Sequence, residues 1–470
     1  MVCHFFTLMV LARILDKESM GLYFIALMVT FLLKLLSDLG VDLAFVKQYP
    51  EETDQGKNNL LRSAFAIRVL SCCLVSALYV AIESSRVIPF INLISHLTFL
   101  TLTLYWLHSF RELFLRLLQA TQNFSIYAGT QVLAAVLKAL LVLGLIALVE
   151  TGVGVREVLI VEIIAFFASI FFVVFKIKSL LVKAISASFG GGKTILRFGY
   201  PLYLNALLNL GNERVSQYIV AGIGGPLAMA YFGMAERLSD AGTRLFEAFV
   251  NVYYPTQTAH FADKDTRKAQ QLADRSMLWI AFIITSGIVG FTILREPVIT
   301  VFFTEKYLDV ANAAAMFFGV LLLRSLQTLM GYFGVAAGEK FLPVKVSLVS
   351  SVVNIILCYL LFKAYGYQGA IAALVLTQFL MNILYFVWLK KSGFILTIKP
   401  VVVISIACIF AIAGIYILNN HFLLSLLIFP AFVIVCLCFL PDLRKDTTMG
   451  WSKITSLVNN RMQAKNIKNA

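Results

Sequence analysis

Four charged residues, Arg237, Asp240, Arg244 and Glu247, follow one another at intervals of three, four and three inside a long apolar segment. That spacing places all four side chains on one face of a helix. A guanidinium group recognises a phosphate through paired hydrogen bonds, and a carboxylate can take up a proton or a cation. The face therefore predicts either a site for an anionic ligand that carries phosphate or a set of ion pairs.

Similar residues recur in other apolar segments. Lys34, Asp38 and Asp42 lie at intervals of four, and Glu213 and Arg214 stand close to Asn209. Together these segments predict a polar cavity. The candidate substrate-binding residues are Lys34, Asn209, Arg214, Arg237, Arg244 and Arg324. The candidates for ion coupling or ion pairing are Asp38, Asp42, Glu213, Glu236 and Asp240.

These charges also have structural interpretations. Fifteen charged residues in apolar segments would cost on the order of 40 kcal/mol if all faced lipid, so they must face one another or water. Besides the candidates and Glu247, the set contains Arg13, Arg68, Lys138 and Glu162. All could be ion pairs in a closed bundle, while Arg13 and Arg68 could extend to a membrane interface. His96 and His108 are interpreted as packing residues.

The elements that must position these residues are membrane-spanning helices. The chain has 470 residues, of which 14% are charged, and a mean hydropathy of +0.87, whereas globular proteins have about 25% charged residues. A span needs roughly 20 apolar residues. We count fourteen apolar segments, of which the first is shorter than that length, near residues 1–15, 20–46, 63–82, 90–110, 124–149, 157–176, 198–220, 227–256, 276–295, 309–337, 343–363, 366–389, 399–418 and 421–440.

The basic residues fall mostly on one side of these spans. Of the 39 Lys and Arg residues, 25 lie in the C-terminal tail or in or close to the connections after even-numbered spans, and 6 lie in or close to those after odd-numbered spans. The positive-inside rule then places both termini in the cytoplasm. The net charge of +14 is explained by a basic fringe that faces anionic lipids, so nucleic acid is not an expected partner.

The short connections leave no room for a soluble catalytic domain, which predicts a transporter rather than an enzyme. The seven cysteines show no Cys-x-x-Cys or Cys/His ligand spacing, so we expect neither a metal site nor a cofactor. The segment ASFGGGKT at 187–194 imitates a phosphate-binding loop, but Ala187 stands where that pattern requires glycine. We interpret its glycines as a hinge.

A repeated phrase indicates two halves. LSDLGVDL at 36–43 and LSDAGTRL at 238–245 are each followed by AFV and YP at small offsets. Chance is the alternative, but recurrence in the same order favours duplication. The predicted fold is an all-α polytopic membrane protein with two parallel six-helix lobes. Its parts are a lobe at 1–176, a basic cytoplasmic linker at 177–197, a lobe at 198–389, two extra helices at 390–440 and a basic cytoplasmic tail at 441–470.

Three stretches resemble one family, the polysaccharide (O-antigen) flippases of the multidrug/oligosaccharidyl-lipid/polysaccharide exporter superfamily. They are LARILDKESMGLYFIAL at 11–27, SDLGVDLAFVKQYPEE at 37–52 and VSSVVNIILCYLLFKAYGYQGAIAALVLTQ at 349–378. The resemblance implies a V of two lobes that moves a lipid-linked oligosaccharide, on undecaprenyl pyrophosphate, across the bacterial inner membrane. It also implies a monomer, with a polysaccharide polymerase and chain-length machinery as partners.

Two other functions are compatible with parts of the sequence, and the first span departs from the expected length. A drug or cation antiporter of the same superfamily would use carboxylates such as Asp38 or Asp240. A membrane glycosyltransferase or polymerase would carry a large periplasmic loop, and the longest such connection here is 296–308. Only about fifteen residues precede Asp16, where a span needs roughly 20. We therefore expect either coding sequence upstream of Met1 or a short, kinked first helix.

Overall fold

The computed structural model describes residues 2–148, 152–339, 341–418 and 421–447. Across these ranges the regular structure is helical, and they contain no strand. The all-α class is confirmed. The α-helices are α1 (Val2–Ile14), α2 (Lys17–Asp38), α3 (Val41–Gln48), α4 (Asp54–Ser85), α5 (Pro89–Leu93), α6 (Thr98–Ala120), α7 (Phe124–Leu148), α8 (Val155–Ile185), α9 (Gly192–Glu213), α10 (Val215–Ala262), α11 (Thr266–Phe303), α12 (Val310–Ala336), α13 (Leu342–Lys391), α14 (Lys399–Ile417), α15 (Phe422–Leu426) and α16 (Ile428–Phe439).

Many of these helices are long and apolar. Within the described residues, ten are long and apolar enough to cross a membrane, which confirms a polytopic membrane protein. The two longest helices are each interrupted by a glycine. Gly225 in α10 has φ of 69°, and Gly366 in α13 has φ of 61°. Both breaks lie close to the junctions predicted between spans, but the number fourteen stays a prediction.

The two copies of the repeated phrase adopt different local structures. In the first copy α2 ends at Asp38, and Gly40 has φ of 77°, a left-handed conformation that favours glycine. A Cβ atom on Gly40 would lie 2.1 Å from the carbonyl oxygen of Gly199 on α9. The second copy lies inside α10, where a Cβ on Gly242 would lie 2.5 Å from Leu321 Cδ2. Each glycine therefore permits a close contact, and the first one also lies in the turn between α2 and α3.

The chain forms two compact units, which do not follow a simple division into halves. Unit 1 contains Met1–Arg237, Ile299–Ala313 and Ser347–Leu374, and unit 2 contains Leu238–Val298, Ala314–Val346 and Val375–Ala470. The apolar core of unit 1 includes buried residues of α3, α4, α6 and α8. That of unit 2 includes buried residues of α11, α12, α13, α14 and α16. The predicted lobes at 1–176 and 198–389 stay a prediction.

The charge asymmetry makes a direct prediction about topology. A reporter fused at Gly225 should lie in the periplasm, and a reporter fused at Lys268 should lie in the cytoplasm, because basic residues concentrate on the cytoplasmic side. Paired alkaline phosphatase and fluorescent-protein fusions measure this. A fusion at Gly393 is the control and should behave as the one at Lys268. If Gly225 and Lys268 report one compartment, the parallel repeat is wrong.

Candidate functional site

A buried charge cluster connects α2, α3 and α4 in unit 1. The Arg68 side chain is fully buried at 0% exposure, and its Nη2 donates to Asp38 Oδ1 at 2.9 Å and to Asp42 Oδ1. Lys34 Nζ donates to the other Asp42 oxygen at 2.9 Å. Two cations thus hold two carboxylates. The interpretation that Arg68 extends to a membrane interface is wrong, because both carboxylates lie inside the helix bundle.

The end of α2 produces this arrangement. Asp38 is the last residue of α2, and the left-handed Gly40 turns the chain so that Asp42 falls in the first turn of α3. The backbone N–H of Asp42 donates to Asp38 Oδ1 at 3.2 Å. The turn therefore brings both carboxylates to one place, and Arg68 on α4 faces them. A buried pair of this kind is destabilising unless its charges are matched.

A second buried cluster joins α2, α7 and α8. The Tyr23 hydroxyl donates to Glu162 Oε1 at 2.6 Å, and Lys138 Nζ donates to the Tyr23 oxygen at 3.0 Å and to Glu162. The side chains of Lys138 and Glu162 are 12% and 5% exposed. This cluster fits the structural interpretation of intramembrane charges, since each polar group has a partner inside the bundle.

Arg111 is a buried cation that the sequence did not mark. Its Nε donates to Ser169 Oγ at 3.2 Å and its Nη2 to Gln131 Oε1 at 2.8 Å. Its guanidinium carbon lies 4.9 Å from the centroid of Phe166, against which His108 also packs its ring at 5.6 Å. Arg111 follows the predicted fourth span by one residue, so the spacing of apolar residues gave no signal that it lies inside.

Arg214, a candidate substrate-binding residue, forms an ion pair with Glu236, a candidate for ion coupling or ion pairing. It follows α9 directly, and its Nη1 lies 3.9 Å from Glu236 Oε1. Gln217 donates to the second Glu236 oxygen at 2.5 Å, and the Arg214 guanidinium lies 5.1 Å from the ring centre of Phe31. The Arg214 side chain remains 36% exposed, so the ion pair leaves part of the guanidinium accessible.

The other predicted site residues lie on α9, α10 and α12. On α10, Arg237 and Arg244 are exposed and Asp240 is half-buried, while Arg324 on α12 is half-buried. The side chains of Asn209 and Glu213 lie outside the described part of the chain. The structure brings together two sets, Lys34 with Asp38 and Asp42, and Arg214 with Glu236. A cavity shared by all of the candidates stays a prediction.

A further polar cluster in unit 1 was not predicted from the sequence. Lys17 Nζ donates to the Tyr231 hydroxyl at 2.7 Å and lies 3.5 Å from Asp309 Oδ2. Tyr231 donates to the same Asp309 oxygen at 3.2 Å, and the Tyr367 hydroxyl donates to the Asp309 backbone at 3.1 Å. We call these four residues the Lys17 cluster. All four lie near ends of spans that the charge asymmetry assigns to the periplasmic side.

Residues of the segment 299–313 hold the turn between α1 and α2, at the same end of the spans as the Lys17 cluster. Lys306 Nζ donates to the backbone oxygens of Leu15 at 2.6 Å and Arg13 at 3.4 Å, and Arg13 donates to the Val301 backbone. Asp16 caps α2, and hydrogen bonds led by the one to Ser19 hold the pKa of its carboxyl below the usual value. The start of α2 is therefore fastened to the segment 299–313.

Comparison with known families now decides the family. A family model described as "Polysaccharide biosynthesis protein" matches residues 10–312, which is more than half of the chain. The chain belongs to the polysaccharide biosynthesis protein family. This confirms the resemblance to polysaccharide flippases seen in the sequence. Comparison with curated protein sequences gives no significant match.

Solved structures show the fold of this family member. The lipid II flippase MurJ, in an inward closed conformation, is 17% identical, covers 94% of this chain and 97% of its own, and has a TM-score of 0.74. An inward-facing multidrug resistance MATE transporter of the MOP superfamily is 16% identical. The match covers 83% of this chain and 93% of that transporter, with a TM-score of 0.67. A MOP superfamily transporter from Pyrococcus furiosus Vc1 (DSM3638) is 16% identical. The match covers 83% of this chain and 91% of that transporter, with a TM-score of 0.57. The fold is that of MOP superfamily transporters.

Proposed function

We propose that this family member is a flippase of the bacterial inner membrane. It moves a polyprenyl-pyrophosphate-linked oligosaccharide from the cytoplasmic to the periplasmic leaflet, for a surface polysaccharide such as the O-antigen of lipopolysaccharide. It works as a monomer with cytoplasmic termini, among anionic lipids, and delivers its product to a polymerase and its chain-length machinery. The family match and the MurJ-like fold support the transport of a lipid-linked saccharide.

The proposal for the substrate rests on the exposed arginines of α10. Arg237 and Arg244 are exposed, although each charge would cost about 2.5–3.5 kcal/mol if it faced lipid. They lie seven residues apart, which is about 10 Å along one helix face. Guanidinium groups bind phosphate with two hydrogen bonds each. Such a face suits a pyrophosphate, and we propose that it lines a cationic central cavity.

The Lys17 cluster is suited to a transporter that opens alternately to the two sides of the membrane. Lys17 and Asp309 have side chains that are 29% and 67% exposed, and exposed ion pairs contribute only about 0–1 kcal/mol each. Contacts this weak can break and re-form while a substrate is bound. We propose that the cluster closes the periplasmic side before the substrate crosses and opens afterwards.

A second candidate function is a multidrug or cation antiporter of the same superfamily. The buried carboxylates of Asp38 and Asp42 favour it, because antiporters need acids that exchange a cation. The MATE-like fold is compatible with it. A deletion strain distinguishes the two functions. An antiporter predicts drug sensitivity with a normal cell surface, whereas a flippase predicts loss of surface polysaccharide.

The test combines that deletion with substitutions on α10. Deletion should abolish the surface polysaccharide and let the lipid-linked precursor accumulate in the cytoplasmic leaflet. Arg237→Gln and Arg244→Gln should remain abundant in the membrane but lower transport by about 10-fold or more, because each loses a charged hydrogen-bond pair to phosphate. Arg→Lys should restore transport only partly, since lysine lacks the planar fork.

The control is Arg267→Gln, which removes an exposed arginine at the start of α11 and should leave transport unchanged. Membrane abundance is measured beside transport in every strain. Normal surface polysaccharide in a deletion strain without a redundant flippase would refute the function. If adding Asp240→Asn to Arg237→Gln or Arg244→Gln restored both abundance and transport, the arginine would be a structural ion-pair partner.

A further inference from the structure

Exposed apolar side chains of α8 do not end with the sixth predicted span. Inside that span, Phe171 and Phe175 lie four residues apart and are exposed. Past its end, Val182 and Ile185 are 63% and 72% exposed. A single exposed apolar side chain is normal at a protein surface, but several close together indicate a contact surface. Val182 and Ile185 lie in the segment 177–197, which the sequence assigns to a cytoplasmic linker.

The part of α8 after the span packs one of its sides against the protein. The helix is interrupted at Ile177, whose φ of −110° and ψ of 16° are not helical. After this break, Ala184 is buried and Leu180 and Leu181 are half-buried against the apolar core of unit 1. A helix that faces water on its outer side normally carries polar residues there. The exposed apolar residues of this part therefore need a second apolar environment, which the membrane interface provides.

The loop after α8 holds a further apolar ring on the outside. Phe189 is 67% exposed, although the loop is bound to α4 on both sides of it. Ser63 Oγ donates to the Gly190 oxygen at 2.8 Å and accepts from the Gly190 N–H at 3.1 Å. Arg62 donates to the Ala187 oxygen, and its guanidinium carbon lies 4.3 Å from the ring centroid of Phe189. These contacts fix the loop, so the outward position of the ring is part of the fold.

The same stretch of chain is basic. Residues 176–197 contain five Lys and Arg residues, all exposed, and no Asp or Glu. Lys178 Nζ lies 5.3 Å from the ring centroid of Phe175. Lys176 Nζ lies 5.8 Å from the ring centroid of Phe172. Ammonium groups that extend over aromatic rings at the end of a span are typical of the headgroup layer of a membrane. The stretch thus combines exposed apolar side chains with positive charge.

We propose that Val182, Ile185 and Phe189, together with Lys178 and Lys183, form a docking surface for anionic phospholipids of the cytoplasmic leaflet. We call these five residues the linker surface. The apolar side chains enter the outer part of the acyl-chain layer, and the ammonium groups bind lipid phosphate. Because the stretch contains no acid, it favours anionic over zwitterionic headgroups. The inference rests on the proposed function only for the assignment of this side of the membrane to the cytoplasm.

Tryptophan quenching by brominated lipids tests the linker surface. Ile185→Trp is introduced into the full chain, which is reconstituted into phosphatidylcholine vesicles that contain an equal fraction of brominated phosphatidylglycerol or brominated phosphatidylcholine. The emission of the unmodified protein in the same vesicles is subtracted. We expect both lipids to quench the added tryptophan, and phosphatidylglycerol to quench it at least about twofold more, because each surface lysine attracts anionic lipid. Lys178→Gln combined with Lys183→Gln should remove that preference.

Two matched controls separate lipid contact from lipid charge. Phe171→Trp places a tryptophan at an exposed position inside the span, where the two brominated lipids should quench it equally. Lys264→Gln combined with Lys268→Gln removes two exposed lysines near the connection between α10 and α11, and it should leave the preference at residue 185 unchanged. High salt should weaken the preference at residue 185 by screening the lysines, and it should leave the quenching at residue 171 unchanged.

Three results would overturn the proposal. Without quenching at residue 185 by either lipid, the linker surface would lie in water. With equal quenching by both lipids, it would contact acyl chains without recognising charge. If undecaprenyl pyrophosphate removed the preference at a small fraction of the phosphatidylglycerol concentration, the surface would be a site for the substrate lipid instead. Failure of the proposed function would look different, because the preference would persist while deletion of the gene left the surface polysaccharide intact.

Discussion

Replacing Arg68 by methionine is expected to lower the free energy of unfolding by about 3–5 kcal/mol, the usual effect of removing one partner from a buried ion pair. Arg68 is fully buried and contacts both Asp38 and Asp42. Without it the two carboxylates face each other, and Lys34 is the cation that still contacts Asp42. Chemical unfolding in detergent and membrane abundance both measure the loss.

Two further variants separate charge from packing. Arg68→Met combined with Asp38→Asn should recover most of the lost stability, because it leaves the matched pair of Lys34 and Asp42. Lys47→Met breaks an ion pair with Glu51 in which both side chains are 60% exposed, and it should cost at most about 1 kcal/mol. If Arg68→Met were as stable as Lys47→Met, the buried cluster would not exist as described.

Replacing Gly21 by alanine is expected to destabilise the protein by about 1–3 kcal/mol, the usual cost of overpacking. A Cβ atom at Gly21 would lie 1.8 Å from the carbonyl oxygen of Pro226 and 2.4 Å from its carbonyl carbon. Both are backbone atoms, so the N-terminal part of α2 has to move. We expect that movement to break the hydrogen bond between Lys17 and Tyr231 as well. We therefore expect transport to fall together with the free energy of unfolding.

The matched control is Gly287→Ala on α11. Gly287 also lies inside a helix, but a Cβ atom there would meet nothing within 4 Å. Alanine is the better helix former by about 1 kcal/mol, so this variant should be slightly more stable than the unmodified protein. The two identical substitutions thus have opposite expected signs in the same unfolding assay. A stabilising effect at Gly21 would contradict the contact between α2 and Pro226.

The sequence by itself determined the class of this protein. Long apolar segments can satisfy their backbone groups in a membrane only as helices, so an all-α polytopic fold followed from composition and segment length alone. The breaks near Gly225 and Gly366 were anticipated as well, because they interrupt continuous apolar runs. The three stretches that resemble polysaccharide flippases led to the family that the match over residues 10–312 confirms.

Only the tertiary structure decided which charges meet. Helical spacing groups residues within about seven positions of one another, whereas Arg68 meets Asp38 across 30 residues and Lys17 meets Asp309 across 292. An isolated intramembrane arginine gives no indication in sequence of whether it faces lipid, water or a carboxylate. That choice depends on how helices from distant parts of the chain pack together. Arg68 and its two carboxylates therefore became recognisable as a cluster only when α2, α3 and α4 were assembled.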